Sequence, residues 1–536
     1  MTKSQYHQKS IAGESNYIKD RAVDIERKEL VVTTEAVIPS KQQLFSMSDE
    51  LDTQITSDVS SSNPSINVMD AWSRLNEADI DEELSVMPMK DLVERNVNIL
   101  EKHILQVMIT RDKEISEALP IDYGPSAVTD KYTTELDTLA KQELVDYVST
   151  IGSMYKMVLY HNFEHASHVL GSADALISMI KVESEQQDLR SSFSTISSSI
   201  SDGIGYVSDE ARKNVGNFGI SSCPMTHLAL VFSALIHDVE HQGVSNKQLV
   251  DENNPLAIKY DRKSVAEYNS LDVGRMLLEQ EKYSNLRRCM FGDASCLPPQ
   301  AAKVVNSNVT LFQDILLATI QATDISSKDR LERISEKWIE AFEKKKPNGQ
   351  CSCGSVAPSV PSAPVAKGKR PSRRSSLHTP AYFQQREARS MSSNDVLSMG
   401  KCEFCSEQDY SQLDYLKAST VLEQMIQTAD VAHTMQSWEV FMKWNTKLYD
   451  ELWAAKLKGR GPDVSANWFN GQMGFFDHYI LPLAKRLEQS GVFGKSGEIF
   501  ARNLEKNRTR WLEEGEARCK DMHIRVLKRQ GDGVKR

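Results

Sequence analysis

The chain has 536 residues, enough for one large domain with tails or for two ordinary domains. Lysine and arginine total 64 against 74 for aspartate and glutamate, and the formal net charge of -10 argues against nucleic acid or an anionic membrane as the main partner. The N-terminus lacks an apolar signal core, and the longest apolar run is too short to span a bilayer. The eight cysteines are unevenly spaced, unlike a secreted disulfide framework, so we predict a soluble cytoplasmic protein.

The N-terminal region differs in composition from the rest of the chain. Residues 1–85 are rich in Ser, Thr, Asp and Glu and show no sustained apolar period, so we predict a disordered N-terminal tail. Beyond it, an amphipathic helix is predicted by apolar residues at alternating steps of four and three: Val93, Val97, Leu100, Ile104 and Val107. We expect this helix to pack on its own domain; the alternative is a homodimer helix, which two heptads cannot establish.

Helical apolar spacing continues over residues 134–182 and returns over 225–236, without any alternation of strands. A weakly apolar, Ser-rich stretch at about 184–217 separates the two, and we predict an inserted loop there. A second insertion at about 344–395 is rich in Pro, Ser, Lys and Arg and cannot bury enough apolar surface to fold alone. Both insertions interrupt the sequence of a single helical domain.

The second insertion carries two further signals. Its segment RRSSL at 373–377 resembles a site for a basophilic kinase with Ser376 as the acceptor, although a solvated basic run explains the arginines equally well. Four thiols near its edges could close its base around Zn²⁺: Cys351, Cys353, Cys402 and Cys405. Four reduced surface cysteines are the alternative, which the atypical C-x-C half favours.

Histidines and carboxylates gather in clusters on otherwise apolar helical stretches. The clusters comprise His161 with His165, then His237 and Asp238 with His241, and finally Asp430. A helical His pair alone is more often a polar patch, but Asp430 ends an apolar run where a carboxylate is costly unless a cation or hydrogen-bond donors meet it. Since every candidate ligand is nitrogen or oxygen, the set suits Zn²⁺ beside Mg²⁺ or Mn²⁺ and predicts a two-metal phosphoesterase.

Residues 237–249, HDVEHQGVSNKQL, resemble the signature of eukaryotic 3′,5′-cyclic nucleotide phosphodiesterases (class I). Further segments match in order: Y-H-N-x-x-H at 160–165, S-V-x-E at 264–267, A-T-D at 322–324, the A-D position at Asp430, then Trp444, Leu448 and Glu451, and Q-x-G-F at 472–475. The resemblance covers roughly residues 90–520. It implies an all-α, compact multi-helical catalytic domain of the HD type over 86–525, followed by a C-terminal tail at 526–536.

The resemblance also implies a set of metal ligands. The tighter-bound ion, usually zinc in this family, would be held by His165, His237, Asp238 and Asp430. Asp238 would also reach the second ion, usually magnesium, with manganese as the alternative. Three residues would act through the waters of that ion: His241, Glu267 and Thr323.

The implied reaction is hydrolysis of a 3′,5′-cyclic purine nucleotide, cAMP or cGMP or both, to the nucleoside 5′-monophosphate. The nucleophile would be a hydroxide activated by two metal ions. His161, oriented by Glu451, would act as the general acid that protonates the departing 3′ oxygen. The substrate pocket would consist of Tyr160, Leu448, Gln472 and Phe475, with the base between the leucine and the phenylalanine and the glutamine amide reading its edge.

Several positions depart from the commoner residues of that family: His168, Glu240, Asn269, Ser270 and His433. They leave open which purine is the substrate, because a glutamine amide presents either orientation unless its neighbours fix it.

Two alternative functions stay under consideration. One is an HD-type phosphohydrolase acting on another nucleotide, which would need no Q-x-G-F clamp; the other is a catalytically silent nucleotide-binding regulator.

Overall fold

The computed structural model describes residues 71–73, 75, 87–119, 135–198, 217–343 and 403–533. Every regular element within these ranges is a helix, which confirms the predicted all-α fold. None of the helices in the described ranges combines the length and the apolar character needed to cross a bilayer. Ser376 and the cysteines at 351, 353 and 402 lie outside the described residues, so the kinase site and the zinc site of the second insertion stay predictions.

The α-helices follow one another in chain order. They are α1 Met89–Ala118, α2 Thr138–Met154, α3 Phe163–Ser198, α4 Pro224–Ile236, α5 Asn246–Asp251, α6 Pro255–Lys259, α7 Val265–Leu278, α8 Ser284–Phe291, α9 Pro299–Ala322, α10 Lys328–Trp338, α11 Glu403–Asp430, α12 Trp438–Leu457, α13 Trp468–Phe475, α14 Leu481–Ser490 and α15 Glu498–Gly533. A 3₁₀ turn, Ala432–Met435, joins α11 to α12, and a π-helical turn, Phe476–Ile480, joins α13 to α14.

Helix α3 runs further than the sequence pattern suggests. It continues to Ser198, past residue 184 where the Ser-rich insertion is predicted to begin. The segment ESEQQDLR at 183–190 consists mostly of residues that propagate a helix readily once a buried turn has nucleated it. Its polarity removed the apolar period on which the prediction depended.

Helix α4 is the centre of the core. Every residue from Met225 to Ile236 is buried, and the helix packs against α1, α3, α9 and α11. A helix that is apolar on all sides has to be surrounded by other elements, which is the position that α4 occupies. Because the helix ends immediately before His237 and Asp238, it delivers these two polar residues to the middle of the domain.

The amphipathic seam of α1 lies inside the same core. Val97, Leu100, Ile104 and Val107 are buried and belong to the hydrophobic cluster that contains α4, while Val93 is half-buried against it. The apolar face of α1 is therefore occupied by its own chain, as the expectation of packing within one domain requires.

Gly274 marks the closest approach of α7 to α4 and gives a first prediction. A Cβ built at Gly274 would lie 2.4 Å from Ile236 Cδ1 and 3.1 Å from Ile236 Cγ2. Gly274→Ala should lower the free energy of unfolding by about 1–3 kcal/mol, because the helices cannot separate without disturbing the core. Denaturant unfolding of the full chain measures this loss.

Gly471→Ala is the matched control for that variant. Within the described residues, no heavy atom lies within 4 Å of a Cβ built at Gly471, which also lies in a helix. Alanine there should leave stability unchanged or raise it by up to about 1 kcal/mol. Equal losses in the two variants would contradict the close contact at Gly274.

Candidate metal and substrate site

Four predicted ligands meet at the ends of three helices. His165 lies in the first turn of α3, His237 and Asp238 directly follow α4, and Asp430 is the last residue of α11. His165 Nε2 lies 3.0 Å from Asp430 Oδ1 and 3.8 Å from Asp238 Oδ2. His237 Nε2 lies 3.1 Å from Asp238 Oδ2 and 3.5 Å from Asp430 Oδ1. We call these four residues the ligand cluster.

Local hydrogen bonds aim the two imidazoles. Asn162 Oδ1 accepts a hydrogen bond from the backbone N–H of His165 at 3.1 Å, as a helix cap does, and so fixes the first turn of α3. His237 Nδ1 donates to the carbonyl oxygen of Ala234 at 2.9 Å, which turns Nε2 toward the carboxylates. His237 Nε2 is buried and makes no hydrogen bond to any described residue.

The charges of the ligand cluster depend on each other. Burial disfavours the protonated ring of His237, but the negative charges of Asp238 and Asp430 outweigh burial and raise its pKa well above the ordinary value. Burial would raise the pKa of Asp430, yet the hydrogen bond with His165 and the positive charge of His237 lower it. The two carboxylates, which are largely shielded from solvent, thus stay ionised beside positive charge, since an isolated charge in such surroundings is costly.

The donor set fits a divalent cation. Two imidazole nitrogens and two carboxylate oxygens are the ligand types of zinc and related ions. Tetrahedral ligands about 2.0 Å from an ion lie about 3.3 Å from one another. The nitrogen–oxygen separations in the cluster run from 3.0 to 3.8 Å and bracket that value.

A second acidic group lies beside the ligand cluster. Glu267, in the first turn of α7, accepts a hydrogen bond from Asn246 Nδ2 at 2.9 Å. Burial and the negative charge of Asp324 raise the pKa of Glu267 to about 8, with Asp238 adding to the effect. Three carboxyl groups that repel one another in a largely shielded site favour a further cation, which would neutralise that repulsion.

Asp324 has no role predicted from the sequence, where it appears only within the A-T-D motif. In the structure its carboxylate accepts hydrogen bonds from Ser264 Oγ at 2.7 Å and from Ser326 Oγ at 2.9 Å. Ser264 precedes α7 with a φ of 39°, in the left-handed region that serine rarely adopts, so this bond secures a strained start of the helix that carries Glu267. Thr323 is buried, and its hydroxyl donates to the carbonyl oxygen of Ile320 at 2.8 Å.

His161 and Glu451 form a pair next to the ligand cluster. His161 Nδ1 lies 2.5 Å from Glu451 Oε1, and Glu451 Oε2 accepts hydrogen bonds from the backbone N–H of Tyr160 and of His161, at 2.7 and 3.1 Å. Burial disfavours the imidazolium of His161, but the charges of Glu451 and Asp238 outweigh it and raise the pKa of His161 to about 9. The positive charge of His161, in turn, overcomes burial and lowers the pKa of Glu451 to about 2. The pair is an imidazolium and a carboxylate at neutral pH.

His241 faces His161, with the two ring centroids 3.9 Å apart. Burial and the positive charge of His161 lower the pKa of His241 to about 4, so His241 is neutral where His161 is charged. Its Nδ1 accepts from the backbone N–H of Gly243 at 3.2 Å, which leaves the proton of the neutral ring on Nε2. Gly243 itself has a φ of +66°, and a Cβ there would lie 3.3 Å from Glu451 Cδ, so glycine lets this turn close over the pair.

Each residue of the predicted base pocket has defined surroundings in the structure. Tyr160 is buried, and its ring centroid lies 4.5 Å from that of His165. Leu448 packs against Tyr160 and Trp444, whereas Phe475 stacks on Tyr479 at 5.3 Å. Gln472 is buried on α13, one turn before Phe475.

Sequence reasoning missed the ion pairs that tie α12 to the start of α3. Glu164, the neighbour of His165, accepts a hydrogen bond from Lys447 and lies 2.9 Å from Lys443 Nζ. Burial would raise the pKa of Glu164, but the two lysines lower it. A glutamate and two lysines separated by about 280 residues carry no local signal, so only the folded chain shows this link.

Two departures from the family pattern also have defined surroundings. His168 Nε2 lies 2.9 Å from Gln436 Oε1, and both residues are buried. His433 is buried in the turn after Asp430, and burial lowers its pKa to about 3. Burial also lowers the pKa of His168 well below its ordinary value, so both histidines are neutral.

These features define an all-α protein with a cluster of histidines and aspartates at its centre that could hold a divalent cation. The family model of 3′,5′-cyclic nucleotide phosphodiesterases matches residues 217–493, just over half of the chain, and the chain belongs to that family. The matched range contains His237, Asp238, Asp430 and Glu451, while His161 and His165 precede it.

Curated relatives include the probable 3′,5′-cyclic-AMP phosphodiesterase pde-4 of Caenorhabditis elegans, 23% identical over 349 residues that cover 63% of this chain and 35% of the relative. The 3′,5′-cyclic-AMP phosphodiesterase 4C of Rattus norvegicus is 31% identical over 139 residues, which cover 26% of this chain and 19% of the relative. The alignments thus span about a third or less of the length of these relatives. The crystal structure of the phosphodiesterase domain of the RhoPDE fusion protein from Salpingoeca rosetta is 14% identical, with a TM-score of 0.44 over 85% of this chain and 97% of that one.

The ligand cluster gives a prediction about metal binding. Zn²⁺ at about one hundred times its dissociation constant should raise the free energy of unfolding of the metal-stripped chain by about 2.7 kcal/mol. Asp430→Asn, which keeps the shape and removes the charge, should lose most of this response. Thermal unfolding with and without added Zn²⁺ measures both.

Asp477→Asn is the control, because Asp477 also accepts a charged hydrogen bond, from Arg508 at 2.6 Å, but lies at the surface. It should respond to Zn²⁺ like the parent. If Asp430→Asn also gains the full stabilisation, Asp430 is not a ligand.

Proposed function

We propose that the chain hydrolyses a 3′,5′-cyclic purine nucleotide, cAMP or cGMP or both, to the nucleoside 5′-monophosphate and so ends cyclic-nucleotide signalling. One observation carries the proposal: a cluster that fits a divalent cation lies next to an imidazolium held by a carboxylate. The first can bind and polarise a phosphate, and the second can protonate a leaving oxygen. Membership of the cyclic nucleotide phosphodiesterase family and the names of the relatives support the same reaction.

The residues present suit Zn²⁺ at the ligand cluster and Mg²⁺ or Mn²⁺ at a neighbouring position. Imidazole nitrogens favour zinc, whereas a position surrounded by carboxylates and water favours the harder ions. Asp238 would serve both, with His241, Glu267 and Thr323 acting through water. When bound, such ions lower the pKa of water and neutralise developing charge on the phosphate.

His161 is proposed as the general acid. With a pKa of about 9 the ring carries its proton at neutral pH. Because Nδ1–H is engaged by Glu451, the proton available for the departing 3′ oxygen is that of Nε2. After the transfer the ring is neutral, the 3′ oxygen is a hydroxyl and Glu451 stays ionised.

Glu451 is proposed to position that acid. Its second oxygen is held by two backbone N–H groups, so the carboxylate cannot rotate away when His161 loses its charge. A fixed carboxylate keeps the imidazole in the tautomer that presents Nε2. The pair is thereby ready for the transfer before the substrate arrives.

The base is proposed to bind at Tyr160, Leu448, Gln472 and Phe475. Phe475 is held by its parallel stack on Tyr479, with 16° between the ring planes, which presents an aromatic face in a fixed direction. The Gln472 amide, buried on the same helix as Phe475, offers a donor and an acceptor to a purine edge. Both purines offer a complementary edge, so the products have to decide between them.

The direct test incubates the purified full chain with cAMP or cGMP and Mg²⁺ and separates the products by chromatography. We expect conversion to the nucleoside 5′-monophosphate, with the faster substrate identifying the purine. Asp430→Ala, prepared in parallel, should be inactive and so excludes a contaminating enzyme. Full metal occupancy without turnover of either nucleotide would instead favour another nucleotide substrate or a silent regulator.

A second test separates the acid from the ligands. His161→Ala should lower turnover by about 10²–10⁴-fold, since the general acid is lost. Its metal content, measured by elemental analysis, should equal that of the parent. Metal loss equal to that of Asp430→Ala would contradict the assigned roles.

The Glu451→Gln variant tests the positioning carboxylate through pH. Because the negative charge of Glu451 helps raise the pKa of His161, removing it should lower that pKa. Activity requires protonated His161, so the loss of turnover at alkaline pH should begin at a lower pH in this variant. Glu423→Gln is the control, since Glu423 is a buried carboxylate that accepts from Lys337 at 2.5 Å on α10. An unchanged alkaline limb in Glu451→Gln would remove Glu451 from this role.

A further inference from the structure

Trp72 precedes α1 in the sequence, and its side chain packs into the helical domain. It lies in the stretch assigned to the N-terminal tail and is the only tryptophan among the first 337 residues. The side chain is 1% exposed, and its ring meets Phe500 of α15 edge-on with centroids 5.3 Å apart. The indole N–H donates to the carbonyl oxygen of Met435 at 2.9 Å.

Met435 belongs to the turn that directly follows the metal ligand Asp430. This turn, Ala432–Met435 with Gln436 and Ser437, joins α11 to α12. Its 3₁₀ helix is a single turn, and the last carbonyl groups of a helix have no partner within it, so other elements must supply the partners of these buried groups. We call residues 432–437 the connecting turn.

Side chains of α15 supply most of those partners. Asn507 Nδ2 donates to the carbonyl oxygens of Thr434 and Gln436, both at 3.0 Å. Asn503 Nδ2 donates to the carbonyl oxygen of Met435 at 3.1 Å, so that this oxygen accepts from both Asn503 and Trp72. The carbonyl oxygens of three successive residues are thus held by groups distant in sequence.

The segment around Trp72 contributes two more contacts. The carbonyl oxygen of Ser73 accepts from the backbone N–H of Ser437 at 3.0 Å, and Ser73 Oγ accepts from Asn503 Nδ2 at 2.9 Å. Ser437 in turn caps α12 through its hydroxyl. Residues 72 and 73 therefore bind the connecting turn at Met435 and at the start of α12.

The connecting turn sets the relation between two parts of the site. On one side it ends α11 at Asp430, whose carboxylate faces His165 and His237. On the other it begins α12, whose Trp444 ring lies 5.2 Å from His165 and whose Glu451 holds His161. A shift of the turn would move the ligand relative to the acid pair.

We propose that Trp72 is a positioning residue for the metal site, which it serves by holding the connecting turn. The indole ring packs against Phe500. Its N–H donates one of the two hydrogen bonds that the carbonyl oxygen of Met435 accepts, and Asn503 donates the other. The proposal rests on the proposed role of Asp430 as a metal ligand. It also gives part of the N-terminal region a function in the catalytic centre.

The test compares zinc affinity in full-length variants. Trp72→Phe keeps an aromatic ring against Phe500 and removes the indole donor. The dissociation constant for Zn²⁺ of the metal-stripped protein, measured by competition with a chromophoric chelator, should rise about tenfold, at the lower end of what lost outer partners of metal ligands cause. This readout does not depend on turnover.

Trp338→Phe is the matched control. Trp338 is 3% exposed on α10 and stacks on Phe342, so its replacement removes a similar buried ring. Its zinc affinity should match that of the parent even if its melting temperature falls. Equal weakening of zinc binding in Trp72→Phe and Trp338→Phe would mean general destabilisation and would overturn the proposal, as would an unchanged affinity in Trp72→Phe.

Asn503→Ser provides an independent variant at the same carbonyl group. It removes the other donor to Met435 and should also weaken zinc binding severalfold. Since both variants act on one oxygen, the double variant should deviate from additivity. Strictly additive effects of the two substitutions on zinc affinity would mean that Trp72 and Asn503 do not act through the same turn, which would overturn the proposal. Undiminished zinc affinity in Asp430→Ala would instead show that Asp430 is not a metal ligand.

Discussion

The interaction on which the rest of the structure depends is the meeting of two partly buried carboxylates, Asp238 and Asp430, at the centre of a helical domain. Neither can be ionised there without nearby positive charge. The negative charges of these two groups raise the pKa of His237 against the effect of burial. Burial, Asp324 and Asp238 together raise the pKa of Glu267 and so favour its neutral form. The site is therefore one electrostatic unit, and a cation at the ligand cluster would change the protonation of every member.

The packing and the ends of the helices explain how charged residues are held inside the domain, where burying them costs free energy. Helix α4 is buried on all sides and ends at His237, so its packing energy places that residue and Asp238 in the interior. Asn162 caps the helix of His165, and side chains of α15 hold the turn after Asp430. Each ligand lies at a helix end, where backbone groups are free for caps and where the ligand adds no polar side chain to a packed helical face.

Much of this could be predicted from the sequence because the signals were local. Apolar spacing predicted helices, and the motifs around His161, His237 and Asp430 predicted which residues would meet. The parts that escaped prediction depend on distant pairs: Trp72 with Met435, and Glu164 with Lys447. A single tryptophan in a polar stretch has no period, so only its burial reveals that it belongs to the domain.

The histidines of the site differ in charge although their side chains are identical. His161, His237 and His241 all lie within the site, yet burial alone would keep every one of them neutral. His161 becomes a cation because Glu451 is 2.5 Å away and held by two backbone groups, whereas the positive charge of His161 lowers the pKa of His241. A pair of adjacent imidazoles is thus divided into one proton donor and one neutral ring by a single carboxylate. That division places the acid of the proposed reaction beside the proposed cation site while the adjacent ring of His241 stays neutral.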